Sequence, residues 1–266
     1  MGEAKRTQMG KKAFLALPEN QRCVYCGSAE SLTVDHFPPR DFFLKRQFPE
    51  GYMYPACSAC NAGKSSDEQA LGFLVSMLDW EVDGENSEFR RHLRAARNNH
   101  PQLLHELEAL SPTRSKRFLR QALGGSDAVW ANGMNGWQAV EFGPEAMRLL
   151  NKMCVWFGQT LYFKHNHQVF SGEVFANRLP HAAIREEKFH GIISRLSGIP
   201  EIKQTGHNIS NQFFYRYYAV DGGFYGILQF NKPQIFFVIC AMTNEHIPKN
   251  LSLDNGWFRS GPVGPQ

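Results

Sequence analysis

"YPACSACNAGKS", residues 54–65, decides how this chain is read. Two cysteines stand two residues apart, and an asparagine follows the second at once. An upstream stretch, "CVYCG", holds a matching pair, Cys23 and Cys26. Each pair offers two thiolates, and Cys23, Cys26, Cys57 and Cys60 together supply the four sulfur ligands of one tetrahedral Zn²⁺. Four free thiols would not explain the paired spacing. A site with four protein ligands is closed, so this zinc is expected to be structural, stapling a loop-rich segment and leaving no open position for substrate. Asn61 has two readings. Asn opens helices well, and its amide carbonyl is also a hard oxygen donor for a metal ion.

The bulk composition sets broad limits. At 266 residues, 42% hydrophobic and 20% charged, the chain is an ordinary globular sequence with room for one large domain or two smaller ones. A net charge of +4 suits a polyanionic partner without requiring one. The start, "MGEAKRTQMGKKAF", is charged and lacks the apolar core of a secretory signal. The longest late apolar run, "IFFVICAM", is too short to span a bilayer and reads as a buried strand. No membrane partner is expected. Paired cysteines without a signal favour metal over disulfides and a reducing cytoplasm. Cys154 and Cys240 stand apart in apolar surroundings.

The pattern divides the chain into five parts: a basic N-terminal arm (1–22), a cysteine-bearing module (23–82), a basic helical region with a glycine-rich loop (83–139), a C-terminal α+β domain (140–250) and a flexible tail (251–266). Ser66, with Gln69 three residues later, signals a helix start, and Leu71, Leu74, Val75 and Leu78 follow at helical spacing. Residues 86–123 read as helical, broken near Pro101 and Pro112. Pro144 opens another helix with Met147, Leu150, Met153, Cys154 and Phe157 as its apolar face. About three strands follow in "NQFFYRYYAVDGGFYGILQFNKPQIFFVICAMT", with "DGG" as a hairpin turn. The aromatics Phe213, Phe214, Tyr215, Tyr217, Tyr218, Phe224 and Tyr225 are expected in a core rather than on a base-stacking platform. The fold class is α+β.

Between the cysteine pairs, "SLTVDHFPPR" gives a short strand, Leu32 to Val34, that ends in Asp35 and His36. This order of motifs resembles the HNH nuclease family. Its pattern is C-x-x-C, an Asp-His at a strand end, an Asn on a second strand, then C-x-x-C followed by His and by Lys three residues further on. "CVYCG", "TVDHFPPR" and "YPACSACNAGKSSDE" fit in order and spacing, over residues 20 to about 80.

The resemblance implies a ββα-metal core, a β-hairpin followed by a helix, holding one catalytic Mg²⁺ or Mn²⁺. By position, His36 matches the general base on water and Asp35 the metal-binding carboxylate. Asn61 falls where the family has its last His or Asn, also a metal ligand. Lys64, one turn on, is either a phosphate contact or a solvated lysine. Arg40, behind two prolines, is a candidate phosphate clamp. The sequence departs from the pattern at Tyr52, where the family's middle Asn supports the histidine-bearing strand across the hairpin. The function implied is a metal-dependent endonuclease that hydrolyses nucleic-acid phosphodiester bonds, with DNA the expected partner and a homodimer compatible with cutting two strands. The alternatives are an inactive zinc-containing nucleic-acid-binding module or a protein-interaction module using the aromatic C-terminal domain. Arg90, Arg91, Arg94 and Arg97, with Arg114, Lys116, Arg117 and Arg120, are candidate backbone contacts or solvated helix faces.

Overall fold

The computed structural model describes residues 10–43, 51–77, 87–123, 140–180, 203–204, 213–230, 235–249, 251 and 257–262. The chain opens with a short helix, α1 (Lys11–Leu15). Strand β1 (Leu32–His36) then pairs antiparallel with β2 (Met53–Cys57), placing Leu32 opposite Cys57 and His36 opposite Met53. β2 runs directly into α2 (Ser58–Met77). This helix starts eight residues before the Ser66 that the sequence marks as its cap. The reason lies in a sulfur: the backbone N–H of Cys60 donates to Cys57 Sγ at 3.4 Å. A cysteine thus does the work usually read from Ser, Thr, Asp or Asn. Leu78, the last apolar residue of the expected pattern, lies outside the described residues.

The basic middle region follows the prolines. Helix α3 (Ser87–Asn99) gives way to α4 (Pro101–Glu106), and α5 (Pro112–Leu123) follows the two-residue strand β3 (Glu108–Ala109). Pro101 and Pro112 each occupy a first helical position, where a missing N–H costs nothing. β3 pairs with β4 (Val140–Glu141), which follows the glycine-rich loop. Most of that loop, 124–139, lies outside the described residues.

Helix α6 (Pro144–Asn166) is the axis of the molecule. Its whole stretch from Met153 to Phe163 is buried, whereas Met147, expected on the apolar face, is 38% exposed. A helix apolar all round is one packed on both sides. One side lies on a six-stranded antiparallel sheet of strand order β10-β5-β9-β8-β7-β6. These are β5 (Gly172–Pro180), β6 (Lys203–Gln204), β7 (Phe213–Val220), β8 (Gly223–Phe230), β9 (Ile235–Thr243) and β10 (Trp257–Ser260). Gly158 permits the close approach of α6 to β5, since a Cβ there would fall 2.5 Å from Val174 Cγ2. The β7–β8 hairpin turns at Asp221-Gly222, with Gly222 at φ +73° and Val220 opposite Gly223, as the "DGG" signal predicts. β10 corrects the expectation of a flexible tail. Its apolar Trp257 and Phe258 add to the edge of β5, and Arg259 pairs with Glu173 on that neighbour.

The other side of α6 meets the hairpin-and-helix segment. Phe37, just after β1, packs edge-on against Trp156 and Phe157, with ring centroids 6.0 and 4.7 Å apart. Tyr52, just before β2, packs edge-on against Phe213 and Tyr215 of the sheet at 5.7 and 6.2 Å. One continuous core therefore joins the cysteine-bearing segment to α6 and the sheet. Phe213, Tyr215 and Phe224 lie in that core, as the strand pattern predicts. No helix among the described residues is long and apolar enough to cross a membrane. Tyr52→Ala should lower unfolding stability by about 3 kcal/mol, as for a large aromatic lost from a core. Denaturant unfolding measures this.

Candidate functional site

The four paired cysteines come together at the open end of the hairpin. Cys23 and Cys26 lie in the tight loop before β1, where Gly27 adopts φ +75° and its N–H donates to the Cys23 carbonyl at 2.8 Å. The backbone N–H of Val24 donates to Pro55 O of β2 at 2.8 Å, fixing that loop against the second pair. The four Sγ atoms lie within 4.8 Å of one another, and Cys26 Sγ is 3.7 Å from Cys57 Sγ. Four sulfurs each 2.3 Å from one tetrahedral zinc stand about 3.8 Å apart, so the cluster is consistent with a Zn²⁺ site. Among the described residues it is the one group of three or more His, Cys, Asp or Glu side chains set to hold a metal.

At the other end of β1, strand alternation sends Asp35 and His36 to opposite faces. Asp35 turns inward beneath α2 and is only 4% exposed. Its Oδ1 accepts from the His36 backbone N–H at 2.8 Å, and its Oδ2 accepts from Tyr25 Oη at 2.6 Å. Lys64 Nζ, also 4% exposed as a residue, donates to the same Oδ2 at 2.5 Å and to Tyr25 Oη at 2.7 Å. The ammonium also pairs with Glu68 Oε1 at 2.9 Å, one turn further along α2. Burial pushes the Asp35 carboxyl up, but the ammonium, the phenol and the His36 amide outweigh it and hold it below the usual carboxylate range. Burial likewise pulls Lys64 down, and Asp35 and Glu68 more than reverse that. Both groups are therefore charged at neutral pH.

This arrangement corrects the expectation of Lys64 as a phosphate contact or solvated lysine, because its charge is spent inside the protein. Sequence reading missed Tyr25 and Glu68 as its partners. The i, i+4 spacing of Lys64 and Glu68 was one available signal. The other was a tyrosine placed between two cysteines of the four-sulfur cluster.

His36, half-buried, faces outward to the exposed Arg40, whose Nη2 lies 2.9 Å from His36 Nε2. A guanidinium only donates, so Nε2 accepts and the neutral ring carries its proton on Nδ1. Burial and then the Arg40 charge lower the His36 pKa. Asn61 stands half-buried in the first turn of α2, three residues before Lys64 and so on the same side of the helix. The structure thus joins His36 with Arg40 and Asp35 with Lys64, while Asp35's oxygens are taken by Tyr25, Lys64 and the His36 amide rather than by Asn61. Along α3, Arg90, Arg91, Arg94 and Arg97 are exposed, as are Arg114, Lys116 and Arg117 on α5. Arg91 pairs with Asp41 and Arg114 with Glu141. The Arg120 side chain lies outside the described residues.

No family model, curated protein or solved structure matches the chain. Elemental analysis of the purified protein should find one zinc per chain, and Cys60→Ser should lose it together with a cooperative unfolding transition. A full zinc complement in Cys60→Ser would exclude the four-sulfur site.

Proposed function

We propose that residues 23–82 form an HNH-type nuclease unit that hydrolyses phosphodiester bonds in DNA. The observation that carries this reading is the contact between a neutral, acceptor-ready His36 and the exposed guanidinium of Arg40, at the end of β1 opposite the four-cysteine cluster. A neutral imidazole near pH 7 suits a general base acting on water. Arg40 is built to exchange one acceptor for another. A phosphate offers it two oxygens in fork geometry and full negative charge, where Nε2 offers one neutral lone pair. Substrate that draws Arg40 away exposes Nε2 to the attacking water. Binding and activation of the base are then one event.

Asp35 and Asn61 are the residues that would hold a divalent ion in this unit. A carboxylate and an amide carbonyl are hard oxygen donors suited to Mg²⁺ or Mn²⁺. Asp35 already faces a cation, the Lys64 ammonium, so its environment accepts positive charge. When bound, such an ion supplies charge stabilisation at the phosphate oxygens and the leaving group. The exposed arginines of α3 extend positive charge beyond the hairpin and suit contacts with backbone phosphates.

The closure of Asp35 by Lys64 favours a second reading, a zinc-containing module that binds nucleic acid without cutting it. Plasmid nicking with Mg²⁺ or Mn²⁺ separates the two. The nuclease reading predicts cleavage by wild type and a loss of about 100-fold or more in His36→Ala, with DNA binding retained. Binding that weakens with added salt, but no cleavage by wild type, selects the second reading.

A further inference from the structure

Three oxygens converge on the Lys64 ammonium: Asp35 Oδ2 at 2.5 Å, Tyr25 Oη at 2.7 Å and Glu68 Oε1 at 2.9 Å. The remaining side of Nζ is roofed by aromatic rings, with the centroids of Tyr25, Phe37 and Trp156 at 4.4, 5.0 and 5.1 Å. Lys64 and Asp35 side chains are each only 5% exposed. These three oxygens come from the zinc loop, β1 and α2, so the ammonium ties three segments together. It is an internal counter-ion in an oxygen-lined seat, set between two carboxylates.

We propose that Lys64 latches Asp35: its ammonium and a divalent ion are mutually exclusive occupants of that carboxylate, and ion binding requires Nζ to leave. This rests on the nuclease reading for its choice of Asp35 as an ion-holding residue. The physical ground is the small space and the charge balance. Asp35 is enclosed, with Oδ1 held by the His36 amide and Oδ2 shared by Tyr25 and Lys64. A dication approaching the same oxygen meets a fixed positive charge 2.5 Å from it. The latched form is then the resting form, and the apparent affinity for the ion falls in proportion to the fraction of molecules that are unlatched. The unit is switched off by its own lysine until an ion is abundant enough to replace it.

Lys64→Met tests the latch, because methionine keeps an unbranched apolar stem under the aromatic roof and removes only the charge. Full-length, zinc-loaded protein is titrated with Mn²⁺, free ion is read by its electron paramagnetic resonance signal, and melting temperature is followed in parallel. The latch predicts that Lys64→Met binds Mn²⁺ roughly tenfold tighter or more than wild type. It also predicts that Mn²⁺ raises the melting temperature of Lys64→Met more than that of wild type, and that adding Asp35→Asn abolishes both effects. Equal Mn²⁺ affinity in wild type and Lys64→Met overturns the latch, as does no Mn²⁺ binding by either. If Lys64→Met does not fold, Tyr25→Phe removes one oxygen from the ammonium and keeps both charges. It should tighten Mn²⁺ binding about threefold by depopulating the latched form, and an unchanged affinity there overturns the latch. The nuclease reading fails separately, through wild type and His36→Ala nicking DNA equally.

Discussion

The buried ion pair between Asp35 and Lys64 is the interaction on which the rest of the arrangement depends. Each charge, taken alone out of water, would cost several kcal/mol. Each is tolerated because the other lies 2.5 Å away and because Tyr25, Glu68 and the His36 amide complete the hydrogen bonding and charge. The pair ties β1 to α2, and it packs under Phe37 and Trp156. The inward turn of Asp35 also has a consequence for its neighbour. Strand alternation leaves His36 on the outer face, where Arg40 can reach it. One buried pair thus sets the positions of both residues of the Asp-His dipeptide.

The hairpin and its helix are held at two ends by different chemistry. At one end four sulfurs converge in the spacing of a tetrahedral zinc site, and one of them caps α2. At the other end Tyr52 fastens the hairpin to Phe213 and Tyr215 in the sheet. The position where the sequence departs from the nuclease pattern is therefore occupied by a residue with a packing role here. A tyrosine that fills a shared core cannot be exchanged freely for a small polar side chain. Among the described residues, Phe37, Tyr52, Tyr54, Phe73 and Leu74 of this small unit belong to the same apolar cluster as α6 and the sheet.

Much of this was legible in the sequence where the signal is local. The C-x-x-C spacing fixed the sulfur cluster, proline positions marked the starts of α4, α5 and α6, and "DGG" marked a hairpin turn. What was not legible depended on contacts between distant residues. The early start of α2 was hidden because its cap is a cysteine, which propensity rules do not rank as one. The exposure of Met147 and the burial of α6 on nearly all sides follow from its place between two layers. Lys64 read as a surface residue because lysine usually is one. Only the folded chain brings Asp35, 29 positions upstream, against its ammonium. β10 was hidden for the same reason, since four residues near the end of the chain form a strand only when β5 offers an edge.

The most direct measurement is a crystal structure of the His36→Ala protein soaked in Mn²⁺ with a DNA duplex, with anomalous scattering used to locate the metals. The expected result is a zinc peak among the four cysteines and a second peak, from manganese, between Asp35 and Asn61. Lys64 would be displaced from Asp35, and Arg40 would lie on a DNA phosphate. A single peak at the sulfurs, with Lys64 still on Asp35 and no phosphate at Arg40, would contradict it.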